Sequence, residues 1–344
     1  MAARLHGPLS VYEKLALSTV ALAIAGLSYR FIEQPVRHSR RLENTTRAIS
    51  LGLASVVILV LCSVGISQAA NRELSEPYLA ALVAARDGRS EGGDGDCAVT
   101  ALNGNEYCLY GPDDASKLVV LVGDSHAAQW APAVIDAATA NRSRVLVRTY
   151  GGCPAFDGPV RATGKATVST GCTDFRAETV RLIADLEPDV VVMSNADYTP
   201  RLLHLESDGG LLEREPAIST WARAAADFAS TLQAQQTPLV VIANNPTMPE
   251  DPIDCLARHR DAARCAAPSA PLLAELEKVR GPEQQALESV GVAGVLDPTP
   301  LICDEDLCQV IDDSGPIFSD ANHLATGFVL TFVDPLVELL EAAL

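Results

Sequence analysis

The feature that most limits what this chain can fold into is the stretch from Lys117 to Trp130. Five aliphatic residues, Leu118-Val119-Val120-Leu121-Val122, run directly into Gly123-Asp124-Ser125-His126. An unbroken apolar run of this length, rich in β-branched residues and stopped by Gly-Asp, predicts a strand buried on both faces, and Ala127 to Asn141 predicts the helix that follows. Similar runs recur at Val145 to Thr149, Val190 to Ser194 and Leu239 to Asn244, separated by helical stretches at Asp174 to Leu186 and Ile218 to Gln235. Strands and helices alternating in this way predict an α/β fold. The expected form is a three-layer α/β/α arrangement around a parallel sheet, with ligands at the C-terminal strand ends. Ser125, Gly151-Gly152 and Asn195 each follow such a strand, so they converge on that edge. Trp130 and Trp221 fall on helices and read as core.

Ser125 at a strand-to-helix turn has its hydroxyl at the sheet edge and its backbone N–H near a helix N-terminus, where a developing oxyanion is favoured. A nucleophilic serine needs a base, and the base needs a carboxylate to orient it. Far downstream, Phe318-Ser319-Asp320-Ala321-Asn322-His323 supplies both in Asp320 and His323, three apart at the start of an expected helix. Asp124 reads as a brace of the turn through side-chain to backbone hydrogen bonds. His126 reads as structural or as a wall of the pocket, because adjacent helical residues do not face each other.

Gly-Asp-Ser-His at 123–126 and Asp-x-x-His at 320–323 resemble the first and last blocks of the SGNH (GDSL-like) hydrolase superfamily. More closely, the chain resembles the extracytoplasmic SGNH domain fused behind acyltransferase-3 domains in bacterial surface-glycan O-acetyltransferases. The resemblance covers about residues 97 to 335. Tyr29-Arg30-Phe31-Ile32-Glu33-Gln34-Pro35-Val36-Arg37 is in turn similar to the end of the last helix of an acyltransferase-3 domain. The resemblance implies a catalytic triad of Ser125, His323 and Asp320, and an oxyanion hole built from the Ser125 N–H, the N–H of Gly151 or Gly152, and the Asn195 side chain. Asn195 corresponds to the family's Gly-x-Asn-Asp block, although the glycine of that block is missing here. Turn-making for the Gly pair and loop capping for Asn195 are the structural alternatives. The implied activity is O-acetyl transfer to an envelope polysaccharide or peptidoglycan sugar, with no cofactor and with the acyl donor delivered by an acyltransferase-3 domain. Carbohydrate ester hydrolysis by the same triad is the alternative, and a non-catalytic glycan-binding module is a third.

Charge and hydropathy divide the chain. Residues 1–68 carry seven Lys/Arg against three Asp/Glu, a net of +4, so the rest carries −22 of the total −18. A surface that acidic argues against nucleic acid as a partner. Two apolar stretches are expected to cross the cytoplasmic membrane, at about 11–32 and 48–70, against the roughly 20 residues that a span needs. From the end of the first stretch onward lie Arg30, Arg37, His38, Arg40 and Arg41. A basic loop joining two spans belongs on the cytoplasmic side, which leaves both chain ends outside. A signal peptide is the competing reading, but no convincing small-residue cleavage site precedes the second stretch. The expected organisation is a membrane segment over 1–70, a linker over 71–96 and an extracytoplasmic catalytic domain over 97–344.

The nine cysteines fit that location. Cys62 lies in the second apolar stretch, and the others fall as close pairs: Cys97 with Cys108, Cys153 with Cys172, Cys255 with Cys265, and Cys303 with Cys308. An even number downstream of an export segment reads as disulfides, though spacing alone does not fix their connectivity. A zinc site is the competing reading; the spacings lack Cys-x2-Cys or paired histidines, and no metal is expected.

Overall fold

A computed structural model describes residues 11–37, 45–74, 76–88, 97–102, 105–158, 160–161, 169–197 and 211–344. The chain forms two compact units, Met1–Ala80 and Ala81–Leu344. In the first, helix α1 (Val11–Ser28) continues through a π turn at Tyr29–Glu33 and a last turn at Gln34–Arg37, and helix α2 spans Thr45–Leu74. Apolar side chains are exposed along both. The windows Lys14–Val36 and Ile49–Gln68 are long and apolar enough to cross a membrane.

The second unit begins earlier than an expected linker over 71–96 would allow. Helix α3 (Pro77–Asp87) buries Leu82 and Ala85. Arg86 binds Asp251 at 2.8 Å and Asp254 at 3.0 Å. Apolar residues on one face of α3 therefore dock the segment after Ala80 onto the globular unit. Of the expected linker, 89–96 lies outside the described residues.

The globular core is a seven-stranded sheet. Its strands are β1 (Ala98–Leu102), β2 (Asn105–Tyr110), β3 (Lys117–Gly123), β4 (Ser143–Thr149), β5 (Val190–Ser194), β6 (Leu239–Ile242) and β7 (Gly294–Leu296), in the spatial order β1-β2-β4-β3-β5-β6-β7. The five strands from β4 to β7 run parallel. The β1–β2 hairpin joins antiparallel at the β4 edge. The sheet is thus mainly parallel rather than wholly so. A hairpin needs only a short turn between its strands, so it can extend an edge without a crossover helix.

After α3, the longer helices of this unit are α4 (Ser125–Ala140), α5 (Thr170–Leu186), α6 (Arg214–Ala234), α7 (Ser269–Val290) and α8 (Val333–Ala343). Period-two alternation divides the strands between two layers. Val120, Val122, Val191, Met193 and Val241 share one cluster with Leu182, Trp221, Phe228, Val279 and Leu287, which come from α5, α6 and α7. On α4, Trp130 packs edge-on against Phe332 just before α8, with centroids 5.2 Å apart. Four disulfides, Cys97–Cys108, Cys153–Cys172, Cys255–Cys265 and Cys303–Cys308, staple the edges and loops.

The sheet positions the site through one close approach. Gly123 pairs with Thr149 on one side and with Ser194 on the other. It adopts φ +144°, and a Cβ there would lie 2.0 Å from the Ser194 carbonyl oxygen and 2.8 Å from Ala127 Cβ. Only glycine lets β3 end this close to β5. Replacing Gly123 with Ala is expected to lower stability by about 2–4 kcal/mol, from combined backbone strain and overlap, measured as a reduced thermal midpoint of the globular unit.

Candidate active site

Ser125 is the first residue of α4, whose N-cap is Asp124. The buried Asp124 carboxylate accepts the His126 N–H at 2.6 Å and the Ala196 N–H at 2.9 Å. One oxygen therefore satisfies a donor of the helix N-terminus, and the other ties the end of β3 to the loop after β5. This fixes Ser125 beside Asn195.

Asp320 and His323 come from the opposite end of the chain. They lie in a tight loop and not at a helix start as the sequence suggested; the next helical residue is Thr326. The Asp320 carboxylate accepts the N–H groups of Asn322 at 2.9 Å and His323 at 2.8 Å, which mimics an N-cap. The chain cannot continue as a helix, because Ser319 N–H binds back to the His323 carbonyl at 2.9 Å and Phe318 bridges Leu324. The turn leaves the two side chains facing each other.

His323 Nδ1 lies 2.9 Å from Asp320 Oδ2, and His323 Nε2 lies 2.8 Å from Ser125 Oγ. The three side chains therefore form one continuous hydrogen-bonded line. Burial pushes the Asp320 carboxyl upward, but hydrogen bonds from the His323 ring and the two backbone N–H groups outweigh it and hold the group well below the usual carboxylate range. Asp320 is thus ionised at any physiological pH, and Nδ1 carries the proton it accepts. That tautomer leaves Nε2 as the acceptor for the Ser125 hydroxyl.

Sequence reasoning missed the amides that hold this loop in place. Gln129 of α4 accepts the buried Leu324 N–H at 2.7 Å and donates to Asn245 Oδ1 at 3.1 Å. Asn245 Nδ2 donates to the Asn322 carbonyl at 2.9 Å. Asn245 lies in Asn244-Asn245-Pro246 just after β6, a polar run at a strand end that is the one signal pointing to it.

His126 is buried, and its Nε2 lies 3.2 Å from Asn322 Nδ2. Its ring centroid is 5.1 Å from that of His323. Burial first, and the neighbouring His323 second, push its pKa down to about 3. A neutral ring accepts the Asn322 amide, so His126 is a wall of the site, and its neighbour His323 is the ring in line with Ser125.

Two further predicted positions lie in the loops that follow β5 and β4. Asn195 is buried; its Oδ1 accepts the Ala155 N–H at 2.8 Å, and its Nδ2 has no hydrogen-bond partner. The Ala155 donor fixes the orientation of the carboxamide and leaves Nδ2 as a free donor. Gly152, at φ +80°, is the third residue of a turn closed by Cys153 N–H to the Tyr150 carbonyl at 3.0 Å. The Cys153–Cys172 disulfide anchors that turn to the start of α5. Among the described residues, no group of three His, Cys, Asp or Glu side chains is placed to hold a metal ion.

Residues 95–331 match the family of SGNH domains fused to AT3 domains, which is more than half of the chain. The chain belongs to that family. Membership supports acyl-group chemistry, either acyl transfer or ester hydrolysis. Among solved structures, the chain is similar to the periplasmic domain of the lipopolysaccharide acetyltransferase of Salmonella ser. Paratyphi A. The two are 13% identical over 67% of this chain and 85% of that one, with a TM-score of 0.49. It is also similar to a GDSL-like lipase from Bacteroides thetaiotaomicron, at 11% identity over 66% and 89% with a TM-score of 0.39. A third is a family 2 carbohydrate esterase from Corynascus thermopiles, at 16% identity over 70% of each chain with a TM-score of 0.37. No curated protein sequence matches the chain.

Two outcomes follow from the site's geometry. Gln129→Ala strands the buried Leu324 N–H, at a cost of about 1–3 kcal/mol, and frees the His323 loop. Ester turnover should fall about 10–100-fold while far-UV circular dichroism is unchanged. The second concerns acid stability. Unfolded His126 takes up a proton below about pH 6.5, whereas the folded protein resists until about pH 3. The unfolded state binds more protons across that window, so stability falls as pH drops through it, at up to about 1.4 kcal/mol per pH unit. Acid-unfolding titrations of His126→Gln should lack that slope.

Proposed function

We propose that the chain is an O-acyltransferase of cell-envelope glycans, in which Ser125 is the nucleophile, His323 the general base and acid, and Asp320 the residue that orients His323. The observation that carries this reading is the unbroken line from Asp320 through His323 to Ser125 Oγ at hydrogen-bond distances. Ser125 Oγ attacks the carbonyl carbon of an acyl donor, and its proton passes to His323 Nε2. The tetrahedral oxyanion takes hydrogen bonds from the Ser125 and Gly152 backbone N–H groups and from Asn195 Nδ2. Collapse expels the donor's leaving group, which takes the proton from His323 and leaves acyl-Ser125. A sugar hydroxyl then gives its proton to His323, attacks the acyl carbon, and leaves as the ester while Ser125 regains its hydrogen.

Membership in a family of domains fused to AT3 domains supports an acyltransferase-3 domain as the source of the acyl group. Four disulfides together with two apolar helices joined by a basic segment support an extracytoplasmic active site on a bacterial cell membrane. Hydrolysis is the second reading, favoured by the partial exposure of the His323 and Asp320 side chains, 17% and 19%, which admits water to the acyl-serine.

The test incubates the full chain in detergent micelles with p-nitrophenyl acetate and envelope oligosaccharides, beside Ser125→Ala. Acetylated sugar that depends on Ser125 is the expected result, with a loss of at least about 10³-fold in the variant. Acetate release with no acetylated sugar on any acceptor assigns hydrolysis instead. Unchanged turnover in Ser125→Ala removes the triad reading altogether.

A further inference from the structure

Behind Asn195, at the C-terminal ends of β5 and β6, lies a group that the reaction scheme does not use. Glu283 of α7 accepts the Trp221 Nε1–H at 2.9 Å. The residue as a whole is only partly buried, but its carboxyl is enclosed. It lines a small cavity of about 30 Å³ together with Asn195, Asn244, Asp197 and Arg280. An adjoining, nearly filled space of about 10 Å³ adds Ser194. Two polar atoms of these walls, Asn195 Nδ2 and Ser194 Oγ, are buried without a partner, which a folded core normally avoids.

The charged groups around Glu283 leave it uncompensated. Arg280 is the near cation, yet its guanidinium binds Asp297 at 2.9 Å, Thr299 Oγ1 at 2.7 Å and Glu277. Asp197 in the same cavity and Asp124 beyond it are both acidic. Arg214 lies near Asp197 but binds Glu275. Burial first, then these carboxylates, raise the Glu283 pKa to about 7, against the Trp221 hydrogen bond and Arg280, which lower it. The group therefore changes charge in the physiological range.

Resting on the triad reading above, we propose that Glu283 is a positioning residue for the oxyanion side of the site, acting on the Asn195 carboxamide through the cavity they share. Asn195 Nδ2 has two hydrogens, so one can serve the oxyanion while the other remains for the cavity that Glu283 also lines. A neutral Glu283 leaves the carboxamide in place. An ionised Glu283 draws that amide toward itself and sets a negative charge behind an anion that must form, and both effects raise the barrier. Activity is thus tuned down as pH rises through the Glu283 ionisation.

The test compares kcat/KM for p-nitrophenyl acetate from pH 5.5 to 8.5 in the full chain in micelles with that of Glu283→Gln, which cannot ionise but keeps an oxygen for Trp221. The ratio of variant to native should be flat below about pH 6 and rise up to about tenfold by pH 8. Trp221→Phe removes a bond that favours the ionised form, so the alkaline fall should move to higher pH. Tryptophan fluorescence follows the same ionisation without turnover: it should titrate near pH 7 in the native chain and not in Glu283→Gln. A ratio that stays flat, while native turnover still requires Ser125, overturns the role of Glu283 and leaves the triad standing. Native turnover indifferent to Ser125→Ala overturns both.

Discussion

The site depends on one buried carboxylate. Asp124 is fully enclosed, and its two oxygens bind the N–H groups of His126 and Ala196. A buried charge without partners would cost far more than it contributes; here backbone N–H groups on two elements stabilise it, and the helix N-terminus adds a favourable dipole. The same bonds hold the end of β3 against the loop after β5, where Gly123 alone permits contact with the Ser194 carbonyl. Ser125 and Asn195 are neighbours because of this clasp, and everything built on the nucleophile inherits its geometry.

The second half of the site is held by neutral amides. Gln129, Asn245 and Asn322 form a chain that runs from α4 through the loop after β6 to the turn bearing Asp320 and His323. Gln129 and Asn245 are buried, and each both accepts and donates a hydrogen bond, so this polar network rigidifies the loop and does not weaken it. His126 closes the network as an uncharged ring. At His323 the hydrogen-bonded partner is a single carboxylate, Asp320, held strongly acidic by three hydrogen-bond donors.

Hydropathy and residue order specified β3, β4, β5 and β6 within a residue or two, and the helices α4, α5 and α6 between them, because buried strands and long helices carry strong periodic signals. The β1–β2 hairpin and three-residue β7 carried none, since an edge hairpin and a short terminal strand take their pairing from the neighbouring sheet. The loop at 319–324 misled in a specific way. Asp320 has the spacing of a helix cap and makes the bonds of one, yet the Ser319 to His323 backbone bond turns the chain back before a helix can start. The docking of α3 onto the globular unit was likewise hidden, as it depends on where Asp251 and Asp254 arrive.

What the sequence determined by itself is the chemistry available: a serine at a strand-to-helix turn, an aspartate and histidine three apart, cysteines in close pairs, and two apolar stretches ahead of an acidic domain. Those follow from residue identity and local spacing, which the chain carries without folding. Only the tertiary structure decided the distances: the line from Asp320 to Ser125, the orientation of the Asn195 carboxamide, the neutral state of His126 and the enclosed Glu283 carboxyl. Each depends on contacts between segments tens to about 200 residues apart, and on the burial that sets proton affinity, neither of which a local pattern contains.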